Sequence, residues 1–163
     1  MQKVLMVCTG NICRSPTADG VLRHLIAERQ LAKRIAVDSA GTQSYHVGEA
    51  PDRRSTQHAK RRGYDLTPLR ARQVNPADFV EFDLILAMDR SHLVYLNQHC
   101  PAEYRYKIRL FLDFATRFTE SEVPDPYYGG DQGFEHVLDL IEDACLGVMK
   151  EMLQLGKTPN ASL

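Results

Sequence analysis

The chain holds 163 residues, 44% hydrophobic and 25% charged, with 20 Lys/Arg against 21 Asp/Glu and a net charge of −1. That length suits a single domain of about 150 residues, and the composition excludes disorder, collagen and coiled coil. The near-zero charge argues against a nucleic-acid partner; the longest apolar runs fall far short of the roughly 18 residues that cross a bilayer, no basic segment precedes a secretory core, and a cytoplasmic location is expected.

Lys3 to Val7 reads as a short apolar strand. Ser15-Pro16 then supplies an N-cap and a first-turn proline for a helix whose apolar positions Ala18, Val21, Leu22, Leu25 and Ile26 follow the i, i+3, i+4 rule. Ile35 to Ser39 is a second strand, Pro51 to Arg62 a polar, basic helix closed by Gly63, and Asn75-Pro76 the cap of a short helix. Leu84 to Met88 is apolar throughout, as a parallel strand covered on both faces must be. Ser91 to Gln98 makes a helix that Pro101 ends, Ile108 to Leu112 a fourth strand, and 119–133 a loop rich in Pro, Asp and Gly. From Phe134 to Leu155, apolar residues at Phe134, Val137, Leu138, Ile141, Cys145, Val148, Met149 and Met152 form one helical stripe, which puts Cys145 in the core. Alternating strands and helices predict a single-domain α/β fold over 1–155, an open parallel sheet with helices on both faces, and a frayed tail over 156–163. Ligands of such sheets bind beyond the carboxyl ends of the strands.

The net charge hides a polarity: residues 1–72 carry 13 Lys/Arg against 6 Asp/Glu, and residues 73–163 carry 7 against 15. Either the acidic half merely solvates its helices, or the basic half, with its run Arg53, Arg54, Lys60, Arg61 and Arg62, supplies a field for an anionic substrate. The four cysteines (Cys8, Cys13, Cys100, Cys145) are too few for a disulfide scaffold, and neither they nor the six histidines fall at zinc-ligand spacing, so no metal or other cofactor is expected.

Beyond the first strand the chain runs Cys8-Thr9-Gly10-Asn11-Ile12-Cys13-Arg14-Ser15-Pro16. It contains neither Gly-Lys-Ser/Thr nor G-x-G-x-x-G, which leaves nucleotide binding unsupported. A loop of this length at a helix N-terminus can turn the N–H groups of Thr9, Gly10, Asn11, Ile12, Cys13, Arg14 and Ser15 around a tetrahedral oxyanion. Cys8 would form the floor of this cradle, and Arg14 would offer a planar fork of donors to two oxygens of the anion. The same N–H groups, helix dipole and guanidinium favour the Cys8 thiolate, to which Ser15 could donate a hydrogen bond. Chance alone gives about 0.3 Cys-x5-Arg matches in this composition, so the weight lies in the placement between a strand end and a Ser-Pro helix start.

A thiolate attacking phosphorus needs a proton donor for the leaving oxygen. Asp125, in Val123-Pro124-Asp125-Pro126-Tyr127-Tyr128-Gly129-Gly130, is the candidate; by itself the segment would be an ordinary turn.

The sequence resembles the low-molecular-weight protein tyrosine phosphatases. The likeness rests on the Cys8 to Pro16 loop, Val37-Asp38-Ser39-Ala40, Ala71-Arg72-Gln73, Ala87-Met88-Asp89 and Asp125-Pro126-Tyr127-Tyr128-Gly129, and extends to about Leu155. It implies a four-stranded parallel sheet, Cys8 as nucleophile, Arg14 as phosphate clamp and Asp125 as general acid and then base, without a metal. It implies that Asn11 and Ser39 brace the loop, that Tyr45, Tyr127 and Tyr128 wall a slot for phosphotyrosine, and that Cys13 is a reversible disulfide partner under oxidation. Loop packing is the other reading of Cys13. The expected partner is a phosphotyrosine protein, such as a tyrosine kinase, or a small aryl phosphate, met by a monomer or weak homodimer. One position departs: many members carry a loop-bracing His two residues before Ala-Arg-Gln, and here it is Leu69. The alternatives are an arsenate reductase of the same fold, which needs relay cysteines, and a non-catalytic phosphotyrosine-binding or redox-sensing module.

Overall fold

The computed structural model describes residues 1–127 and 129–157. Four parallel strands, β1 (Gln2–Cys8), β2 (Ile35–Gly41), β3 (Leu84–Ala87) and β4 (Ile108–Leu110), form one sheet in the order β2-β1-β3-β4. Alternation along the strands divides the core in two. Val4, Met6 and Cys8 of β1 and Leu84 and Leu86 of β3 face α1 (Arg14–Glu28) and α5 (Asp131–Leu155); Leu5, Val7, Ile85 and Ala87 face α3 (Pro76–Glu81) and α4 (Arg90–His99). A strand buried on both faces has no place for a polar residue, which explains the unbroken apolar runs.

The predicted elements are all present, with shifted ends. The helix expected to begin at a Ser15 cap begins at Arg14, with Cys13 at the cap position and no side-chain cap bond. Ser15 lies inside the first turn because its hydroxyl serves the loop described below. The basic helix is shorter than expected, α2 (Arg53–Arg61), because Asp52 caps it by accepting from the N–H groups of Arg54 and Ser55. Gly63 follows it with a φ of 93°, the left-handed region that glycine adopts without strain. Asn75 caps α3 and Asp89 caps α4, each within a capping box. The fourth strand stops at Leu110, and a 3-10 turn takes Phe111–Phe114. The last helix starts three residues early, at Asp131, and its stripe, including Cys145, is buried.

The basic run is not one field. Arg62 is drawn onto α5, where it pairs with Glu135, Asp139 and Glu142, so part of the positive half neutralises part of the negative half. The expected tail lies, beyond Lys157, outside the described residues. Among the described residues no helix is long and apolar enough to cross a membrane.

The chain passes from β1 outward to β2 and then returns to the other side of β1 to form β3. Their carboxyl ends, at Cys8 and Ala87, therefore flank the point where a doubly wound sheet opens a crevice.

Candidate active site

At that crevice is a cleft of about 240 Å³ lined by Cys8, Thr9, Gly10, Ile12, Cys13, Arg14, Tyr45, His46, Asp125 and Tyr127. Its floor is the loop between β1 and α1. The carbonyls of Cys8, Thr9, Ile12 and Cys13 accept from the N–H groups of Thr42, Gln43, Asp52 and Thr17. Among the described residues, no acceptor takes an N–H of residues 9–15. A loop whose carbonyls are consumed and whose amides are free is chemically an anion receptor. The glycine at Gly41, where β2 passes the loop, is enforced by space, since a Cβ there would lie 2.6 Å from the Thr9 carbonyl oxygen.

Cys8 Sγ is 2.9 Å from Ser15 Oγ. Asn11 takes the left-handed conformation at φ 57°, which its short amide side chain tolerates. Its Nδ2 donates to Ser15 Oγ at 2.8 Å and to Ser39 Oγ at 3.0 Å, and its Oδ1 accepts from the Arg72 N–H at 3.0 Å. Ser15 Oγ thus accepts from Asn11, and its own proton is shared between the sulfur at 2.9 Å and the Ala40 carbonyl at 3.5 Å. Leu69 takes no part in this network; it packs partly buried against the core, and the Arg72 backbone fills the remaining acceptor of Asn11.

The Arg14 side chain is 5% exposed. Nη1 donates to Asp89 Oδ2 at 2.7 Å and to the Val123 carbonyl at 3.1 Å, and Nη2 lies 3.7 Å from Asp125 Oδ2. Burial works against an ionised Asp89, but hydrogen bonds from Ser91 and Arg14 prevail and hold its carboxyl below the usual range. Asp125 is half-exposed at the rim, its Oδ1 accepting from the Tyr127 N–H at 3.0 Å. Nucleophile, guanidinium and carboxylate thus surround one small volume.

Behind the loop, Thr9 Oγ1 and His92 Nε2 are 2.8 Å apart, and the Asp89 N–H donates to His92 Nδ1 at 3.2 Å. Burial, seconded by the charge of Arg14, pushes the imidazole down to about 4 despite the opposing pull of Asp89. The ring is therefore neutral near pH 7, accepts at Nδ1 and donates from Nε2 to Thr9. Asp89 and His92 escape a sequence reading of the site, although Asp-x-x-His three residues apart is a helix-start pattern. His46 escapes it too: it lies against Gly10, where a Cβ would stand 2.9 Å from its ring, and pairs with Glu49 at 2.6 Å.

Tyr45 and Tyr127 both line the cleft, 74% and 42% exposed; Tyr128 lies outside the described residues. Cys13 is buried, and burial together with the Asp52 charge pushes its thiol up to about 12. Cys100 and Cys145 are buried away from the cleft, and all four cysteines are free thiols. Among the described residues, no three His, Cys, Asp or Glu side chains converge as a metal site requires.

Comparison with known proteins agrees with this geometry. The family model described as "Low molecular weight phosphotyrosine protein phosphatase" matches residues 3–158. A Synechocystis sp. chain named among the low molecular weight protein-tyrosine-phosphatases is 53% identical over 88% of this chain and 91% of its own. The low molecular weight phosphotyrosine protein phosphatase of Schizosaccharomyces pombe is 43% identical over 81% of this chain and 85% of its own. A crystal structure of protein tyrosine phosphatase from Entamoeba histolytica superposes with a TM-score of 0.91 at 44% identity, covering 96% of this chain and 99% of that one. Sequence match and shared sheet extend along nearly the whole polypeptide, so the chain belongs to the low molecular weight phosphotyrosine protein phosphatase family.

Proposed function

We infer that the chain is a protein-tyrosine-phosphatase that hydrolyses phosphotyrosine and small aryl phosphates through a phosphocysteine on Cys8. The observation that carries this reading is the convergence of Cys8, the buried Arg14 and the rim carboxylate Asp125 on one cleft whose floor is a loop of free amides. In the first step the Cys8 thiolate attacks phosphorus in line, the bond to the tyrosine oxygen breaks, and Asp125 protonates the leaving phenolate. In the second, water attacks phosphorus, Asp125 takes its proton, and the sulfur departs with the Ser15 hydroxyl donating to it. Arg14 and the loop amides hold the three equatorial oxygens throughout, the largest electrostatic contribution to such a reaction. Cys8 acts as the thiolate and Asp125 as the proton donor, so Asp125→Ala should slow turnover most for phenols that leave reluctantly.

Tyr45 and Tyr127, which line the cleft, wall the slot for the tyrosine ring, so that the shorter phosphoserine is the poorer substrate. Asn11 and Ser39 brace the loop, and the amides of Thr9, Gly10, Asn11, Ile12, Cys13, Arg14 and Ser15 hold the phosphate. Cys13, which lines the same cleft as Cys8, is the redox partner. When peroxide oxidises Cys8 to the sulfenic acid and is itself reduced to water, the Cys13 sulfur attacks the Cys8 sulfur, a disulfide forms and a second water leaves. The cellular partner is a phosphotyrosine protein or a small aryl phosphate in the cytoplasm, and the enzyme acts as a monomer or weak homodimer. Arsenate reduction is disfavoured because no cysteine besides Cys8 and Cys13 lines the cleft to relay a disulfide outward.

Turnover of p-nitrophenyl phosphate and a phosphotyrosine peptide by wild type and Cys8→Ser, with arsenate reduction run alongside, tests the reading. Hydrolysis that vanishes in Cys8→Ser supports it; thiol-dependent arsenate reduction without aryl phosphate turnover overturns it.

A further inference from the structure

We propose that Arg54, on α2, is a positioning residue that holds the Asp125–Tyr127 segment over the cleft; the proposal rests on Asp125 as the general acid. The sequence places Arg54 in a basic run that suggests a diffuse anion-attracting face, but its contacts are specific. Its Nη2 donates to the Tyr127 carbonyl at 2.7 Å, and its guanidinium lies 5.5 Å from the Tyr127 ring centroid and 4.8 Å from that of Phe134. Arginine alone combines a planar face for two rings with in-plane donors for a carbonyl.

Both ends of this contact lead to the reacting groups. On one side, the Asp52 N–H donates to the Ile12 carbonyl at 2.7 Å, which fixes the start of α2 to the phosphate loop, and Asp52 Oδ1 accepts from the Arg54 N–H at 2.8 Å. On the other, the Tyr127 N–H donates to Asp125 Oδ1 at 3.0 Å, which turns Oδ2 toward Arg14. The path Ile12–Asp52–Arg54–Tyr127–Asp125 therefore ties the acid to the anion cradle beneath it. Phe134, buried at the start of α5, supplies a rigid backing, stacked against His58 on α2 with centroids 5.3 Å apart.

A proton donor is useful only within hydrogen-bond reach of the leaving oxygen, and the demand for it rises with the basicity of that oxygen. Loosening the segment should therefore cost little for an acidic phenol and much for tyrosine. Values of kcat/KM for a series of aryl phosphates, with leaving phenols from strongly activated to unactivated, should be compared in wild type, Arg54→Met, Asp125→Ala and the double variant. Arg54→Met should lower kcat/KM increasingly with leaving-group basicity, reaching about tenfold to a hundredfold for phenyl phosphate and phosphotyrosine. In the Asp125→Ala background it should leave the leaving-group slope unaltered, as two changes to one proton transfer must. Arg54→Lys, which keeps the charge but not the planar fork, should leave the slope as steep as in Arg54→Met.

A uniform loss across the series, a slope restored in full by lysine, or further steepening by Arg54→Met without Asp125 would each overturn the assignment. If Asp125→Ala itself leaves the slope unchanged, the general-acid reading falls and takes this proposal with it. If Asp125→Ala steepens the slope and Arg54→Met does not, only the proposal falls.

Discussion

Replacing Asp89 with Asn removes one charge from behind the phosphate clamp and little else. Asn is as good a helix cap as Asp, so α4 keeps its start. Arg14, 5% exposed, loses the counter-charge at 2.7 Å and keeps the Val123 carbonyl and the more distant Asp125. Removing one partner of a fully buried pair costs about 3–5 kcal/mol. Asp89 is 20% exposed and the amide can still accept from Arg14, so about 2 kcal/mol is the reasonable share here. For a domain of this size each kcal/mol shifts Tm by about 2–4 °C, which predicts a fall of about 4–8 °C at pH 7. Inorganic phosphate supplies Arg14 with a new counter-charge and should narrow the gap between the variant and wild type. The sign of the pH effect follows from the lowered Asp89 carboxyl: its contribution is complete above the unfolded pKa of about 3.9 and disappears as pH falls through the folded value. The two proteins should then converge in acid. Thermal melts with and without phosphate read all of this; equal melting at pH 7, or a gap that phosphate does not narrow, would refute the reasoning.

His92, held down at about 4, stays neutral in the fold while its unfolded counterpart protonates below about 6.5, so stability should drain away by about 3 kcal/mol as pH falls between those values. Denaturant titrations of His92→Gln should show that slope removed, and an unchanged slope would contradict the buried-neutral assignment. Asn11→Ala deletes three hydrogen bonds and leaves an alanine in the left-handed region, which should cost about 2–4 kcal/mol and depress kcat. Asn11→Gly, free of the backbone strain, should recover about 1 kcal/mol of stability without recovering kcat. Peroxide should inactivate wild type reversibly and Cys13→Ser irreversibly; because the Cys13 thiol is pushed up to about 12, disulfide closure should quicken as pH rises. Equal recovery by thiol in both proteins would leave Cys13 a packing residue.

Local pattern made much of the fold legible. The unbroken Leu84 to Met88 run and the stripe from Phe134 to Met152 report burial directly, since neighbours three and four apart or two apart share a face. Ser15 misleads because Ser-Pro is also what a capped helix looks like; nothing local shows that its hydroxyl is engaged by Cys8 and Asn11. The contacts of Arg14 with Asp89 and Val123, and of Thr9 with His92, span 75 to 109 residues and leave no periodic trace. Charge was legible as a sum but not as a map. Arg62 is absorbed by the acidic face of α5, while Arg54 turns its planar group between two aromatic rings. Nor does anything local to Asn11 show that the chain crossing brings it the Arg72 N–H, 61 residues away, which its Oδ1 accepts.

In this mechanism phosphate passes through the Cys8 sulfur. Rapid-quench labelling with a 32P aryl phosphate, followed by peptide mapping, tests it most directly, with Asp125→Ala used to slow the hydrolysis of the intermediate. Label is expected on the peptide carrying Cys8, labile to acid as an S-phosphocysteine is, and absent from Cys8→Ser. Label on another residue, or turnover by Cys8→Ser at the wild-type rate, would contradict it.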